Sequence, residues 1–354
     1  MPPRASTIGR RQIDLLRRLC EATGVSGDEA QVREIVLSEL KDRVDEIRVD
    51  ALGNILAMKR GRGRRRLRVM LDAHMDEVGF MIVAEDSDGL YQFETIGGID
   101  PQNLPGKQVV VGKDSTPGVI GAKAIHLSKS EEIKHPISID KLRVDLGLGG
   151  KAKVGDRGTF AANFRRAGPA IISKALDNRL GVATLIDLVA AGPFQVDLLA
   201  AFTVQEEIGL RGAKVAANFF KPDLALVIDA TPARDLPMQC DGENTTYNAK
   251  LRQGPAIYLS HREAIDDPRL VHFLVETATR NKITFQFRQP GGGSNDSGGI
   301  QRAGAGVPVA SVSVPHRYTH SAASLSWIED WQNTLTLLRA FLGSVPTNIL
   351  RRTF

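Results

Sequence analysis

Apolar residues return along this chain at two different spacings, and the change from one to the other divides it. Within residues 8–22, Ile13, Leu15, Leu16, Leu19 and Cys20 fall close to helical spacing, and a second helix is expected after Gly24-Val25. Ser26 and Glu29, an S-x-x-E capping box, mark its start, and Val32, Ile35, Val36 and Leu40 form its apolar stripe. Runs 47–49 and 55–58, with Gly53-Asn54 between them, predict two paired strands. A third strand, over 67–71, ends at Asp72-Ala73-His74.

From about Phe80 to Phe164 the pattern changes. Short β-type runs such as 108–111 and 119–121 are broken every few residues by Gly, Pro and Asp, which predicts a small all-β module. After Gly168-Pro169 the alternation returns, with helices over 180–191, 268–279 and 327–342 and strands over 196–204, 224–228 and 307–314. Such alternation argues for an α/β sheet with helices on both faces. Because it stops near 80 and resumes near 168, the order fits one α/β domain made of 1–79 and 168–354, opened by a β insertion over 80–167, better than two tandem domains.

Composition narrows the class. The chain of 354 residues is too long for one ordinary core, and 42% apolar with 25% charged residues excludes disordered, collagen-like and coiled-coil classes. Two cysteines, Cys20 and Cys240, are too few for a disulfide scaffold or a four-cysteine zinc site, so any metal must be held by His, Asp and Glu. The net charge of +5 does not imply a nucleic-acid partner: the run from Lys59 to Arg68 alone carries seven positive charges, and no aromatic interleaving accompanies it. That run reads as a solvated hairpin exit. No stretch of 18 apolar residues exists and the start lacks an apolar signal core, so neither a membrane nor secretion is expected, and the chain reads as cytoplasmic.

Five polar motifs follow predicted strands, where open α/β sheets place their ligands: His74-Met75-Asp76-Glu77, Asp177-Asn178, Glu206-Glu207, Asp229 and His320. Histidines and carboxylates without thiols suit zinc, cobalt or manganese. Their number exceeds the four ligands of one structural zinc and suggests two ions about 3.5–4 Å apart sharing a bridging carboxylate. In an extended segment Glu206 and Glu207 point apart, so one can ligate while the other acts as general base. His74 and Asp76 point to one side, so Asp76 can fix the imidazole tautomer.

The segments His74-Met-Asp76-Glu77-Val-Gly79-Phe80, Lys174-Ala-Leu-Asp177-Asn178-Arg179-Leu-Gly181, Val204-Gln205-Glu206-Glu207-Ile-Gly209-Leu-Arg211-Gly212-Ala213 and Arg317-Tyr318-Thr-His320-Ser321 resemble the tetrahedral aminopeptidases. These are dinuclear metallopeptidases that include glutamyl and deblocking aminopeptidases and relatives once labelled endoglucanases, and the resemblance runs nearly end to end. It implies an α/β fold, a mixed-sheet phosphorylase/hydrolase-like catalytic domain with an inserted small β-barrel that drives dimerisation. By the same resemblance His74 and Asp229 bind one metal, Glu207 and His320 the other, and Asp177 bridges both. Glu206 is then the general base and Asp76 the carboxylate orienting His74. Zinc or cobalt are the implied ions, short peptides the substrates, and a homo-oligomer, up to a dodecamer of six dimers, the assembly; the Asp177–Asn178 peptide bond is implied to be cis. The sequence departs from the family at 290–296, one residue longer than the usual glycine-rich loop, and at Ser260-His261-Arg262-Glu263, which lacks an aspartate before the arginine.

Other candidates have plainer readings. His126 and His135 are structural or exposed, His316 a loop histidine lining the entrance, and His261 and His272 loop and helix-surface residues. Trp327 and Trp331 form a core-facing stripe, and Gly291-Gly292-Gly293 is a flexible active-site loop rather than a phosphate cradle. A carbohydrase, which needs two carboxylates but seldom histidine ligands, and a binding protein that has lost its chemistry are the competing functions.

Overall fold

The computed structural model describes residues 6–87, 89–128, 135, 137–236, 249–289 and 293–352; Cys240 and Gly291-Gly292 lie outside these. Helices α1 (Arg10–Glu21) and α2 (Ala30–Leu40) are followed by strands β1 (Glu46–Val49), β2 (Ile55–Lys59) and β3 (Arg68–His74). Six strands then close a barrel: β4 (Gly79–Ser87), β5 (Leu90–Ile96), β6 (Gln108–Val111), β7 (Thr116–Gly121), β8 (Arg143–Asp145) and β9 (Arg157–Phe160), in the order β4-β5-β8-β7-β6-β9. Barrel closure leaves no free edge. Its interior is packed by Phe80, Ile82, Tyr91, Phe93, Val109, Val111, Ile120, Val144 and Phe160.

The chain returns through β10 (Arg165–Ala167), β11 (Ala170–Ser173), α3 (Leu176–Ala191), β12 (Asp197–Thr203), α4 (Arg211–Phe220) and β13 (Leu224–Pro232). After β14 (Ala256–Ile257), β15 (Ser260–His261), β16 (Ala264–Ile265), α5 (Pro268–Arg280), β17 (Gln286–Phe287) and α6 (Ser297–Gln301), it ends with β18 (Val309–Arg317), β19 (Ser324–Trp327) and α7 (Ile328–Ser344). The main sheet is mixed, in the order β1-β2-β12-β3-β13-β18-β19-β11-β10, and its centre, β12-β3-β13-β18, is parallel. The fold is therefore α/β, a mixed sheet with helices and an inserted closed barrel.

The near-continuous apolar runs of the central strands follow from burial of both faces. Val69, Leu71 and Ala73 face the layer formed by α1, α2, α3, α5 and α7, whereas Met70 faces α4 and α6. Leu198, Ala200 and Phe202 repeat that alternation against Leu199 and Ala201. Among the described residues, no helix is long and apolar enough to cross a membrane.

Several expectations are corrected. Ser26 does not cap α2: the N-cap is Glu29, whose carboxylate turns back to accept from Gly27 N at 2.6 Å, while the Ser26 hydroxyl is drawn to Asp76 at 2.6 Å. Helix α4 was not expected at all. Trp331 is buried and donates to Thr184 Oγ1 at 2.8 Å, but Trp327 ends β19, half-buried beneath the Arg252 guanidinium. The arginine run does connect β2 to β3 as an exposed loop, with Arg66 paired to Asp197 at 2.7 Å and Arg60 to Glu46 at 3.0 Å.

Candidate metal centre

The sheet brings all seven predicted site residues to one rim. His74 is the last residue of β3, Glu206 and Glu207 follow β12, and Asp177 opens α3. His320 lies just beyond β18, with φ +57°. Asp229 does not terminate its strand as expected; β13 runs on to Pro232 because its pairing with β18 continues to Pro232–His316, and Asp229 sits opposite Ser313 within it. The Asp177–Asn178 peptide bond is cis.

Two sets of three donors form. One ligand atom each of His74, Asp177 and Asp229, and likewise of Asp177, Glu207 and His320, lies within 4.8 Å of the other two, so Asp177 belongs to both sets. His74 Nε2 is 3.3 Å from Asp177 Oδ1 and 3.5 Å from Asp229 Oδ1; His320 Nε2 is 3.2 Å from Glu207 Oε2 and 3.7 Å from Asp177 Oδ2. The opposite ring nitrogens are held from behind. His74 Nδ1 meets the Asp76 carbonyl at 3.2 Å and its carboxylate at 3.4 Å, and His320 Nδ1 meets the Gly98 carbonyl at 2.8 Å. A proton on each Nδ1 leaves each Nε2 lone pair facing the carboxylates.

Glu206 and Glu207 lie beyond the end of β12, where the strand gives way to a turn. Gln205 takes φ +60°, and a turn closes when Gly209 and Leu210 donate to the Glu206 carbonyl. Their carboxylates still diverge: Glu206 Oε2 is 4.0 Å from His74 Nε2, whereas Glu207 reaches His320.

The charges explain what the site is fit to hold. Burial, with Glu207, Asp296 and Asp229 nearby, outweighs the pull of His74 and lifts Glu206 well above the carboxylate range. Burial also raises Glu207 and Asp229. Asp177 is pulled down to about 2, because its bond and attraction to His74 overcome burial. Burial lowers His320, but Glu207 and Asp177 carry it up to about 9. Crowded carboxylates that take up protons are the signature of a site short of positive charge. Two imidazoles, three carboxylates and no thiol match borderline divalent ions.

A cavity of about 320 Å³ opens on this cluster, bordered also by Leu210, Pro232, Tyr258, Arg288, Gly293 and Ser294. Tyr258 receives a hydrogen bond from Ser313 Oγ at 3.3 Å, and Arg288 stacks on its ring at 4.7 Å. Neither residue was singled out from the sequence. Beneath the site, Asp72 and Asp296 lie side by side, each almost wholly buried, with Thr203 donating to Asp296 at 3.0 Å; a charged residue within the apolar run 69–73 was the available signal.

The remaining histidines separate clearly. His316 does not line the entrance; it is wholly buried in β18, its Nε2 bonded to Thr319 Oγ1 at 2.9 Å. His261 is buried as well, bonded to Ser297 Oγ at 2.7 Å, because β15 folds it inward. His272 is on the surface of α5, paired with Glu276 at 3.2 Å, and His126 and His135 are exposed.

The chain as a whole is similar to known proteins. The profile of the M42 glutamyl aminopeptidases matches residues 53–337. The glutamyl aminopeptidase of Lactococcus lactis is 31% identical over 351 residues, 94% of this chain and 96% of the relative. Among solved structures, an aminopeptidase of the archaeon Desulfurococcus kamchatkensis superposes with TM-score 0.90 at 30% identity, over 96% of this chain and 97% of that one. The TET1 peptidase of Pyrococcus horikoshii, described as assembling into a tetrahedron or a large octahedral shell, superposes with TM-score 0.83 at 31% identity, over 94% and 100%. A site of this make-up on this fold, matched over most of its length, establishes that the chain belongs to the M42 family of aminopeptidases.

Proposed function

We propose that the protein removes N-terminal residues from short peptides by metal-assisted hydrolysis. The observation that carries this is the pair of donor sets sharing Asp177, with a separate carboxylate, Glu206, beside them. His74, Asp229, Glu207, His320 and Asp177 are the residues that would hold divalent ions, Asp177 belonging to both donor sets; zinc and cobalt would suit these donors equally. Bound there, such ions would supply acidification of water and polarisation of a carbonyl oxygen.

The chain's own residues supply the rest. Glu206 takes the proton of the attacking water and returns it to the leaving amide nitrogen. Its burial favours the protonated carboxyl that forms between the two transfers. Asp76 holds the Nδ1 proton of His74 and, through the backbone N–H groups of Glu206 and Glu207, fixes the base relative to the ligands. Gly293, Ser294 and Arg288 border the space for the substrate's first side chain.

The test is hydrolysis of aminoacyl chromogenic amides by metal-free protein before and after addition of Zn²⁺ or Co²⁺. Activity restored by metal is expected, and sugar release from cellulose is not; amide hydrolysis indifferent to chelation sinks the reading. We also propose that the barrel serves assembly, as apolar Leu148, Val154 and Leu127 stand exposed on it at 93%, 70% and 65%. Light scattering on the purified chain is expected to give a dimer or a multiple of it, and a monomer contradicts this.

A further inference from the structure

A buried ion cluster lies behind Asp177 and takes no part in the chemistry above. Glu77 is 2% exposed, and its carboxylate accepts from Lys174 Nζ at 2.7 and 2.9 Å, Arg179 Nη2 at 3.2 Å, Thr159 Oγ1 at 2.9 Å and Gly24 N at 3.1 Å. Lys174 also donates to the Ala22 carbonyl and Arg179 to the Leu19 carbonyl, both at 2.9 Å. Burying three charges is expensive, and replacing such groups with apolar ones often stabilises a core. Stability alone therefore gives little reason for the cluster to be there.

Its position supplies the reason. Lys174 precedes Asp177 by three residues and Arg179 follows it by two, so one carboxylate grips the chain on both sides of the shared ligand. Between them Ala175 is held at φ +54°, a conformation that a residue with a Cβ keeps only when its surroundings impose it. On the other side, Asn178 Nδ2 donates to the Ile228 carbonyl at 2.8 Å, next to Asp229. The cluster's two cations and one anion leave a net positive charge, and Glu77 and Lys174 border one narrow cleft with Asp177, Glu207 and His320. There is no slack: a Cβ at Gly24 would stand 2.7 Å from Arg179 Nη2.

We propose that Glu77 is the positioning residue of Asp177. By fixing Lys174 and Arg179 it sets where the carboxylate shared by the two donor sets stands, and so sets the affinity of the site for divalent ions. The inference rests on Asp177 being the shared ligand.

Glu77→Gln preserves size and, with its amide oxygen in the place of Oε1, can still accept from Gly24 while its amide N–H donates to the Thr159 hydroxyl, but it loses the charge that holds both cations. Titration of the metal-free variant with Zn²⁺ or Co²⁺ in a calorimeter is expected to show affinity 10- to 100-fold below wild type, as for other groups that orient metal ligands. The absorption bands of the Co²⁺-loaded protein shift, and kcat falls more than KM changes. A folded Glu77→Gln protein with wild-type affinity and spectrum overturns the proposal, whatever happens to its melting temperature. If that variant does not fold, Thr159→Val replaces it, removing one hydrogen bond at nearly constant volume: weakened metal affinity supports the proposal and unchanged affinity overturns it. Asp177→Asn, run beside them, separates the two ideas. If Asp177→Asn binds both ions like wild type, the ligand assignment falls; if it alone loses affinity, the assignment stands and the role given to Glu77 is overturned.

Discussion

The backbone N–H of Glu206 donates to the carboxylate of Asp76 at 3.0 Å, so the candidate base and the residue behind His74 are parts of one hydrogen-bonded unit. Asp76 is wholly buried yet its carboxyl is held below the usual range, because His74, the Ser26 hydroxyl and this N–H outweigh burial. Those partners favour the anion at Asp76, whereas burial favours the protonated carboxyl at Glu206. Glu206→Gln keeps the backbone bond and the shape but cannot take up a proton. Turnover is expected to fall by about 10²- to 10⁴-fold, the range for a lost acid–base group, with metal content by mass spectrometry equal to wild type. Retained turnover removes Glu206 from the role of base.

Sharing of Asp177 predicts an asymmetry among ligand variants. His74→Ala or Asp229→Ala removes a donor from one set, and Glu207→Ala or His320→Ala from the other, whereas Asp177→Ala opens both. After dialysis against a weak chelator, the first four variants are expected to keep one ion per subunit and Asp177→Ala none. If Asp177→Ala keeps an ion as well as the single-set variants do, the two sets are independent.

The parts of this site that were legible in sequence are those where a polar residue interrupts or follows a strongly apolar run. His74 after 67–71 and Glu206 after 196–204 are of that kind, since a strand buried on both faces fixes where its end must lie. Asp229 was recognised for the same reason, though its strand continues past it. Backbone detail was not legible: Glu206 and Glu207 diverge as extended alternation predicts, but across a turn entered at Gln205 with φ +60°, and Ser26 was better used by Asp76 than by a helix end. Helix α4 was missed because its buried face is Gly212, Ala213, Ala216, Ala217 and Phe220, helical in spacing but weakly apolar. Tyr258 and Arg288 carry no local signal. They belong to the short segments around β14 and β17, and only the pairing of β14 with β18 brings them over the site.

Arg288 gives a prediction about the substrate's first side chain. Among the described residues it is the one lysine or arginine bordering the cavity, it is 5% exposed, and its stacking on Tyr258 holds the guanidinium plane in place. A buried, fixed guanidinium favours a carboxylate and disfavours an ammonium. Glutamyl and aspartyl amides are expected to be cleaved at least about 10-fold faster, as kcat/KM, than lysyl amide, a difference of about 1.4 kcal/mol. Arg288→Met is expected to narrow that ratio while leaving alanyl amide within a few-fold. A lysyl preference in the wild type, or a ratio untouched by the substitution, contradicts this role.

Asp266 predicts how stability varies with pH away from the metal ligands. It is 2% exposed, its Oδ2 accepts from Ser311 N at 2.7 Å, and its Oδ1 has no hydrogen-bond partner. Burial lifts its carboxyl to about 7 from 3.8, against the opposing effects of that bond and of Arg288. Between those two values the folded protein holds a proton that the unfolded chain has released, so stability falls as pH rises through the window and is constant above it. The slope contributed is at most about 1.4 kcal/mol per pH unit. Asn at this position can still accept from Ser311 N and does not titrate, so Asp266→Asn is expected to lose this part of the dependence. Urea denaturation of both proteins at pH 4.5 and pH 7.5, in chelator so that metal binding does not contribute, measures the difference directly. The wild-type midpoint is expected to drop relative to the variant on going to pH 7.5; parallel curves mean that Asp266 is ionised throughout.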